Sequence, residues 1–134
     1  MATKITVKFE GVVLTGELND GETARALAAR LPMKIRTSRW GDEYYGGIGG
    51  KLKVAPAGDA RDEMAVGELA FWIPGNALCL FFGPTPASAG GEPRAASDVN
   101  PVGKVTGDFA ALKKLGSSVT MEVAVRTAEG GGAG

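Results

Sequence analysis

Residues 67–88 read GELAFWIPGNALCLFFGPTPAS and indicate the fold more clearly than any other stretch of the chain. Two dense apolar runs flank a Pro-Gly-Asn turn, and this pattern predicts a β-hairpin with strands over 64–73 and 76–82. The segment that follows, 83–101, holds four of the seven prolines and shows no periodicity, so we interpret it as a long loop. A loop of that length in a compact domain is either functional or disordered. A core hairpin that opens into such a loop suggests a binding cleft on a β-scaffold.

Short strands are predicted on both sides of this hairpin. Alternating apolar residues over 5–9 and 119–125 are typical of half-buried strands. The pattern predicts further strands over 12–18, 33–40, 43–48, 51–54 and 102–106. The glycines at 46–50 leave open whether that segment is a bulge, a kink or a mobile flap.

Two helices are predicted, one near each end of the chain. Asp20 offers an N-cap, and the apolar residues that follow it at helical spacing are Ala24, Leu27, Ala28 and Leu31. Pro32 ends this helix, because the residue before a proline disfavours helical backbone angles. Asp108 can cap a second, shorter helix.

The sum of these elements predicts a mostly β fold. Many short strands avoid open edges most simply by closing into an antiparallel barrel, so we expect a barrel with two short helices. The predicted domain covers residues 1–126, and the Gly-rich residues 127–134 are predicted to be a flexible tail.

Composition argues against several classes of function. The 15 basic and 15 acidic residues cancel, which gives no field to attract nucleic acid or anionic lipid. No apolar run approaches the roughly 18 residues of a membrane helix, and no signal-peptide pattern is present near the start. One cysteine excludes an internal disulfide framework. We therefore expect a cytoplasmic protein that binds neither nucleic acid nor membrane.

The absence of histidine limits the possible chemistry further. Catalytic sites of the Ser-His-Asp or Cys-His kind are impossible within one chain, and transition metals lose their usual ligand. We expect no metal and no cofactor. Acid-base catalysis near neutral pH would need a carboxylate or a lysine with a shifted pKa. Catalysis without proton transfer stays open.

Several short strings resemble the cyclophilins in sequence and in order. Residues 67–75, 80–82 and 102–105 are similar to cyclophilin strings in the central hairpin and in the strand that reads Phe-Gly-Lys-Val. The chain resembles a group of small prokaryotic cyclophilin-like proteins more closely, through RWGDE at 39–43 and through WIPGNALC with GPTPAS at 72–79 and 83–88. This resemblance implies a closed antiparallel barrel similar to a trimmed cyclophilin, and no settled activity.

The chain departs from the true prolyl isomerases at their active site. Their pocket includes a histidine and a tryptophan in the loop before the Phe-Gly-Lys-Val strand, and their arginine follows a Phe-His pair. Here that loop carries Glu92, Pro93 and Arg94, and nothing matches Phe-His-Arg. Arg36 and Arg39 are the arginines in a comparable stretch.

The predicted ligand site combines aromatic walls with polar groups. We expect Trp72 and Phe82 to form the walls of the cleft, and Asn76 and Asn100 to supply ligand contacts. Arg39 or Arg94 could polarise a twisted prolyl amide, which needs no proton transfer. Each has a structural alternative, an ion pair of Arg39 with Asp42 or Glu43 and of Arg94 with Glu92.

Four functional hypotheses follow. The leading one is a binding module for a peptide segment or a small-molecule ligand in an aromatic cleft. The alternative is a peptidyl-prolyl cis-trans isomerase with an arginine as electrostatic catalyst. A third is a metabolic enzyme that uses Glu43 or Lys104, and a fourth is a protein-interaction domain with a filled groove. The sequence leaves open both the oligomeric state and whether the protein is an enzyme.

Overall fold

The computed structural model describes residues 2–126, so the predicted tail at 127–134 lies outside the described residues. The strands, in chain order, are β1 (Thr3–Phe9), β2 (Val12–Leu18), β3 (Met33–Arg39), β4 (Glu43–Gly47), β5 (Arg61–Glu63), β6 (Glu68–Trp72), β7 (Ala77–Phe81), β8 (Arg94–Thr106) and β9 (Ser118–Val125). The helices are α1 (Glu22–Ala28) and α2 (Phe109–Lys113), and a 3-10 turn over Ile73–Gly75 joins β6 to β7.

Eight of these strands close into an antiparallel barrel. The hydrogen-bonded order is β2-β1-β9-β3-β4-β7-β6-β8, and β8 pairs in turn with β2 to complete the circle. Gly16 and Gly103 let β2 and β8 approach closely, because a Cβ on either would collide with the opposite backbone, at Lys104 and Glu17 respectively. The predicted closed barrel with two helices is confirmed.

Side chains on β6 and β7 are buried on both faces of the barrel wall. Phe71 and Phe82 point into the main core with Phe9 and Tyr44, whereas Phe81 and Trp72 belong to or pack against a second apolar cluster outside the wall. The other members of this outer cluster are Met64, Ala70, Cys79, Ala95 and Val99. Burial on both faces explains why these strands read as continuous apolar runs.

The outer cluster exists because β8 continues beyond the barrel. Its first half pairs with β5, which joins Arg61 to Val99 and Glu63 to Arg94, and its second half fills the wall between β6 and β2. The predicted loop over 83–101 is therefore too long, since its last eight residues are strand. Pro101 is tolerated there because it lies at a register irregularity opposite β6.

Two smaller differences concern local elements. The predicted strand over 51–54 is not a strand, and its backbone is held by side chains instead: Leu52 N–H donates to Asn76 and the Lys51 carbonyl accepts from Arg30. Helix α1 takes Gly21 as its N-cap rather than Asp20. The predicted cap at Asp108 is confirmed, because its carboxylate accepts from the Ala111 N–H at 3.0 Å.

Candidate functional site

A cavity of about 280 Å³ opens on the outer face of the barrel, where β4, β6 and β7 face the first half of β8. The residues that line it are Trp40, Glu43, Tyr45, Trp72, Cys79, Ala95, Ala96 and Val99. Three of the eight are aromatic and four are small or aliphatic, so the single carboxyl group of Glu43 stands in largely apolar surroundings.

Strand alternation places these side chains on one surface. On β4, Glu43 and Tyr45 face outward while Tyr44 between them lies fully buried in the main core. Tyr45 is paired with Cys79 on β7, and Ala70 on β6 is paired with Cys79 from the other side. The cavity thus has a rigid floor of three hydrogen-bonded strands, with Ala95, Ala96 and Val99 of β8 forming its opposite wall.

Glu43 is the unusual group in this cavity. Its side chain belongs to a residue that is only 4% exposed, and its Oε1 atom has no hydrogen-bond partner among residues 2–126. Burial raises the pKa of Glu43 from 4.5 to about 7, and a hydrogen bond with the Cys79 thiol offsets part of that rise. A carboxyl of this kind can bind a proton or lose it near neutral pH.

Cys79 is a buried neighbour of Glu43. Burial raises the pKa of its thiol well above the ordinary value, and the nearby negative charge of Glu43 adds to the effect. The thiolate is the nucleophilic form of cysteine, so this thiol is inert as a nucleophile at neutral pH.

Trp72 lines the cavity, and its predicted contact with a ligand stays a prediction. Its indole N–H donates to Ser97 Oγ at 2.7 Å, which fixes the ring against β8. Phe82, the predicted second wall, lies elsewhere: it is 1% exposed and stacks on Tyr44 inside the barrel at 5.5 Å between ring centroids. The prediction that Trp72 and Phe82 share one cleft is therefore wrong, because the two side chains project from opposite faces of the wall.

Arg39 caps one end of the barrel interior instead of lining the cavity. Its guanidinium lies over the rings of Tyr44 and Phe82 and donates to the carbonyls of Gly41, Lys113 and Leu115. It also forms an ion pair with Asp42 at 2.8 Å. This is the structural alternative considered for Arg39, with Asp42 rather than Glu43 as the partner.

Arg94 lies beside the cavity wall and is held by three carboxylates. It contacts Asp62 at 2.8 Å, Glu92 at 3.2 Å and Glu63 at 3.5 Å. These pairs tie the start of β8 to β5 and to the preceding loop. The ion pair with Glu92 is again the structural alternative, and Arg94 itself is not among the lining residues.

Asn76 and Asn100 hold the segment between β4 and β5. Asn76 has a left-handed backbone (φ 48°), accepts from Leu52 N–H and donates to the Gly49 carbonyl. Asn100 accepts from Ala57 N–H at 2.9 Å and donates to Thr23 Oγ1 and the Ala55 carbonyl, both at 3.0 Å. Their predicted contact with a ligand is untested, and neither lines this cavity. Lys104 lies in the barrel half of β8, opposite Glu68, and also does not line it.

Sequence reasoning missed Trp40, Tyr45 and the three β8 residues as parts of the site, and it named Glu43 only as a third possibility. Strand alternation could have indicated Glu43 and Tyr45, because it places both side chains on the face of β4 opposite to Tyr44. No local signal could place β8 residues against β7, because that contact depends on how β8 leaves the barrel.

Other kinds of site can be assessed over residues 2–126 of the chain. These residues contain no group of three or more Cys, Asp or Glu side chains arranged to hold a metal ion. None of their helices is long and apolar enough to cross a membrane.

The closed antiparallel barrel of eight strands with two helices is of the cyclophilin type, and comparison with known proteins gives the family. Residues 3–126 match the sequence profile of the family described as Cyclophilin-like, so the chain belongs to that family. The predicted place among the small prokaryotic cyclophilin-like proteins is confirmed.

A solved structure resembles this chain over nearly its whole length. The solution structure of the hypothetical protein AF2241 from Archaeoglobus fulgidus is 34% identical to this chain, with a TM-score of 0.75. The match covers 93% of this chain and 95% of that one. No curated protein matches. These similarities establish fold and family and leave the activity to the geometry of the site.

Proposed function

We propose that this protein is a binding module whose ligand inserts one compact group into the outer cavity between Trp40, Tyr45 and Trp72. The observation that carries the proposal is the combination of an open, aromatic-lined cavity with a buried carboxyl oxygen that no other group of residues 2–126 satisfies. Buried polar atoms without partners are rare in folded proteins, and a ligand is one way to satisfy them.

The size of the cavity limits the ligand. Small-molecule pockets usually measure about 300–1,000 Å³, so a cavity of about 280 Å³ is at the lower end of that range. It suits a single side chain of a peptide or one compact part of a small molecule. Ala95 and Ala96 keep this space open, because larger side chains at these positions would project into it.

The arrangement also favours binding without a large rearrangement. Three hydrogen-bonded barrel strands form the floor of the cavity, and Trp72 is fixed by its bond to Ser97. A preformed site loses less conformational entropy on binding than one that must be ordered first.

The isomerase alternative finds less support. It needs a guanidinium that faces the twisted amide, whereas Arg39 is engaged at the barrel end and Arg94 is tied to carboxylates. Of the residues described, those that line the cavity include no arginine. Prolyl isomerisation stays a prediction of the sequence, to be tested by a peptide isomerisation assay.

The test uses the two tryptophans of the chain, Trp40 and Trp72, which both line the cavity. A set of small amides, alcohols, amines and aromatic fragments is titrated into ¹⁵N-labelled protein, and the two indole N–H signals are followed. We expect binders to shift these signals, and Trp72→Ala to abolish binding while Val13→Ala, on an exposed site away from the cavity, leaves it unchanged. Fragments that bind equally well to Trp72→Ala, or a set with no binder at all, would contradict the proposal.

A further inference from the structure

We propose that the group this cavity accepts is an organic ammonium cation, and that Glu43 is its counter-ion. This inference rests on the proposed function and names the chemical class of the ligand. The shared chemistry is an alkylated or methylated ammonium head group, either on a free small molecule or at the tip of a modified lysine side chain.

The aromatic lining is the first argument. The faces of aromatic rings carry partial negative charge and attract cations within about 6 Å of the ring centroid. Trp40, Tyr45 and Trp72 supply three rings around one small volume. Trp72 directs its positive N–H edge to Ser97, which is not a lining residue, so that donor is satisfied outside the cavity.

The second argument is the balance of charge. Glu43 is 4% exposed, and burying an ionised carboxylate without a partner is costly. Arg39, which is close to Glu43 in sequence, is already paired with Asp42. Arg94, at the start of the β8 wall of the cavity, is paired with Asp62 and Glu92. Within the described part of the chain, the lining contains neither lysine nor arginine. The lining therefore supplies no positive charge to balance an ionised Glu43, and a cationic ligand would provide one.

These two features select against other ligand classes. An anion would meet a carboxylate and three aromatic rings without a compensating positive group. A neutral apolar group would gain only the burial of its surface, and would leave Glu43 Oε1 unpartnered. A methylated ammonium is compact, weakly hydrated and cationic, so it interacts favourably with both the rings and the carboxylate.

The protonation of Glu43 supports the inference. A bound cation favours the ionised carboxylate, so binding should displace the proton that burial holds on Glu43 near pH 7. The other titratable groups lining the cavity are Tyr45 on β4 and Cys79 on β7, whereas β8 contributes only Ala95, Ala96 and Val99. Affinity for a cation should therefore rise with pH through about 7 and become constant above it.

The experiment compares choline with its neutral isostere 3,3-dimethyl-1-butanol at pH 8, using tryptophan fluorescence of the intact protein. We expect choline to bind at least about tenfold more tightly. Glu43→Gln should reduce the affinity for choline about tenfold and change that for the alcohol less than about twofold. A peptide with trimethyl-lysine, titrated in parallel, distinguishes a side-chain ligand from a free one by which of the two binds more tightly.

Three outcomes separate the inference from the proposed function. If the native protein bound choline and the alcohol with equal affinity, the cation inference would be overturned while the binding module stands. The same conclusion would follow if Glu43→Gln bound choline as tightly as the native protein does. Failure of both probes while other neutral fragments shift the indole signals would overturn it in the same way. Far-UV circular dichroism of Glu43→Gln checks that the variant is folded, and Glu43→Asp, which keeps the charge, should retain the preference for choline.

Discussion

Glu43 and Glu68 are two carboxyl groups with the same burial and opposite surroundings. Each residue is 4% exposed and each begins a strand of the barrel wall, β4 for Glu43 and β6 for Glu68. Glu68 accepts two bonds from Arg61, at 2.6 and 2.9 Å, and one from the Ala65 N–H at 2.8 Å. Glu43 has no cationic partner among the residues described, and its Oε1 is unsatisfied.

Their pKa values differ for the same reason. Burial tends to raise the pKa of Glu68, but the bonds from Arg61 and Ala65 outweigh it and lower the pKa below 4.5. Burial also raises the pKa of Glu43, and only a weak hydrogen bond with the Cys79 thiol opposes this rise, so the pKa reaches about 7. The comparison shows that this fold can satisfy a buried carboxylate with a cation and a backbone N–H, and that the carboxyl left unsatisfied lines the aromatic cavity.

The largest expected effect comes from removing the charge at Glu43. Because the folded state holds the proton up to about pH 7 and the unfolded state releases it near 4.5, the free energy of unfolding should fall between these two pH values and stay low above them. Glu43→Gln has no carboxyl to titrate at this position and should not show this loss. On going from pH 4 to pH 8, its free energy of unfolding should therefore rise by about 3 kcal/mol relative to that of the native protein. Urea denaturation at both pH values measures it.

The matched control for that prediction is Glu68→Gln. Its carboxylate has a lowered pKa, so it contributes stability that is present above about pH 4.5 and lost as the pH falls below it. Glu68→Gln should therefore lose stability relative to the native protein at pH 8, which is the opposite sign. The same sign for both variants would contradict the comparison.

A smaller effect is expected from converting Glu68 into a second unpaired carboxyl. Arg61→Ala leaves the buried Glu68 without its cation, and we expect a loss of about 2 kcal/mol at pH 7, less than for a fully buried pair because Arg61 is partly exposed. Arg36→Ala, an exposed arginine that bonds only to Thr120 and the Ser118 carbonyl among the contacts described, should cost no more than about 0.5 kcal/mol. Equal losses in the two variants would show that pairing is not what distinguishes Glu68 from Glu43.

The smallest effect on stability is expected from filling the cavity. Ala96 is exposed at the cavity wall, so Ala96→Phe should change the free energy of unfolding by less than about 0.5 kcal/mol while it blocks ligand binding. Val66→Phe places the same side chain on an exposed site outside the cavity and should leave binding intact. Retained affinity in Ala96→Phe would mean that ligands bind elsewhere.

The barrel could be predicted from the sequence because its signals are local. Alternation over β1, β2 and β9 and the apolar hairpin of β6 and β7 fix which residues face the core, and closure follows from the number of strands. The strand predicted over 51–54 failed because side chains of Arg30 and Asn76, distant in sequence, hold that backbone in place of a neighbouring strand.

The site was harder to predict because it depends on which face of each strand is covered. The predicted cleft places Phe82 beside Trp72, whereas Phe81 at the end of β7 faces outward and Phe82, the next residue, faces inward. The sequence predicts a loop over the first half of β8, because the burial of these residues follows their contact with the outer face of the wall and not a period in their own sequence. Arginine was expected to supply the chemistry, but both arginines are held by other residues, and the free polar group is a glutamate.

The most direct test is the titration of Glu43 itself, followed by the ¹³C chemical shift of its side-chain carboxyl in the intact protein between pH 3 and pH 9. An unpaired carboxyl buried in an aromatic cavity should titrate with a pKa of about 7, and saturating choline should lower that pKa. A pKa at or below 4.5 without ligand would show that Glu43 is solvated or paired in solution, and would contradict the central claim.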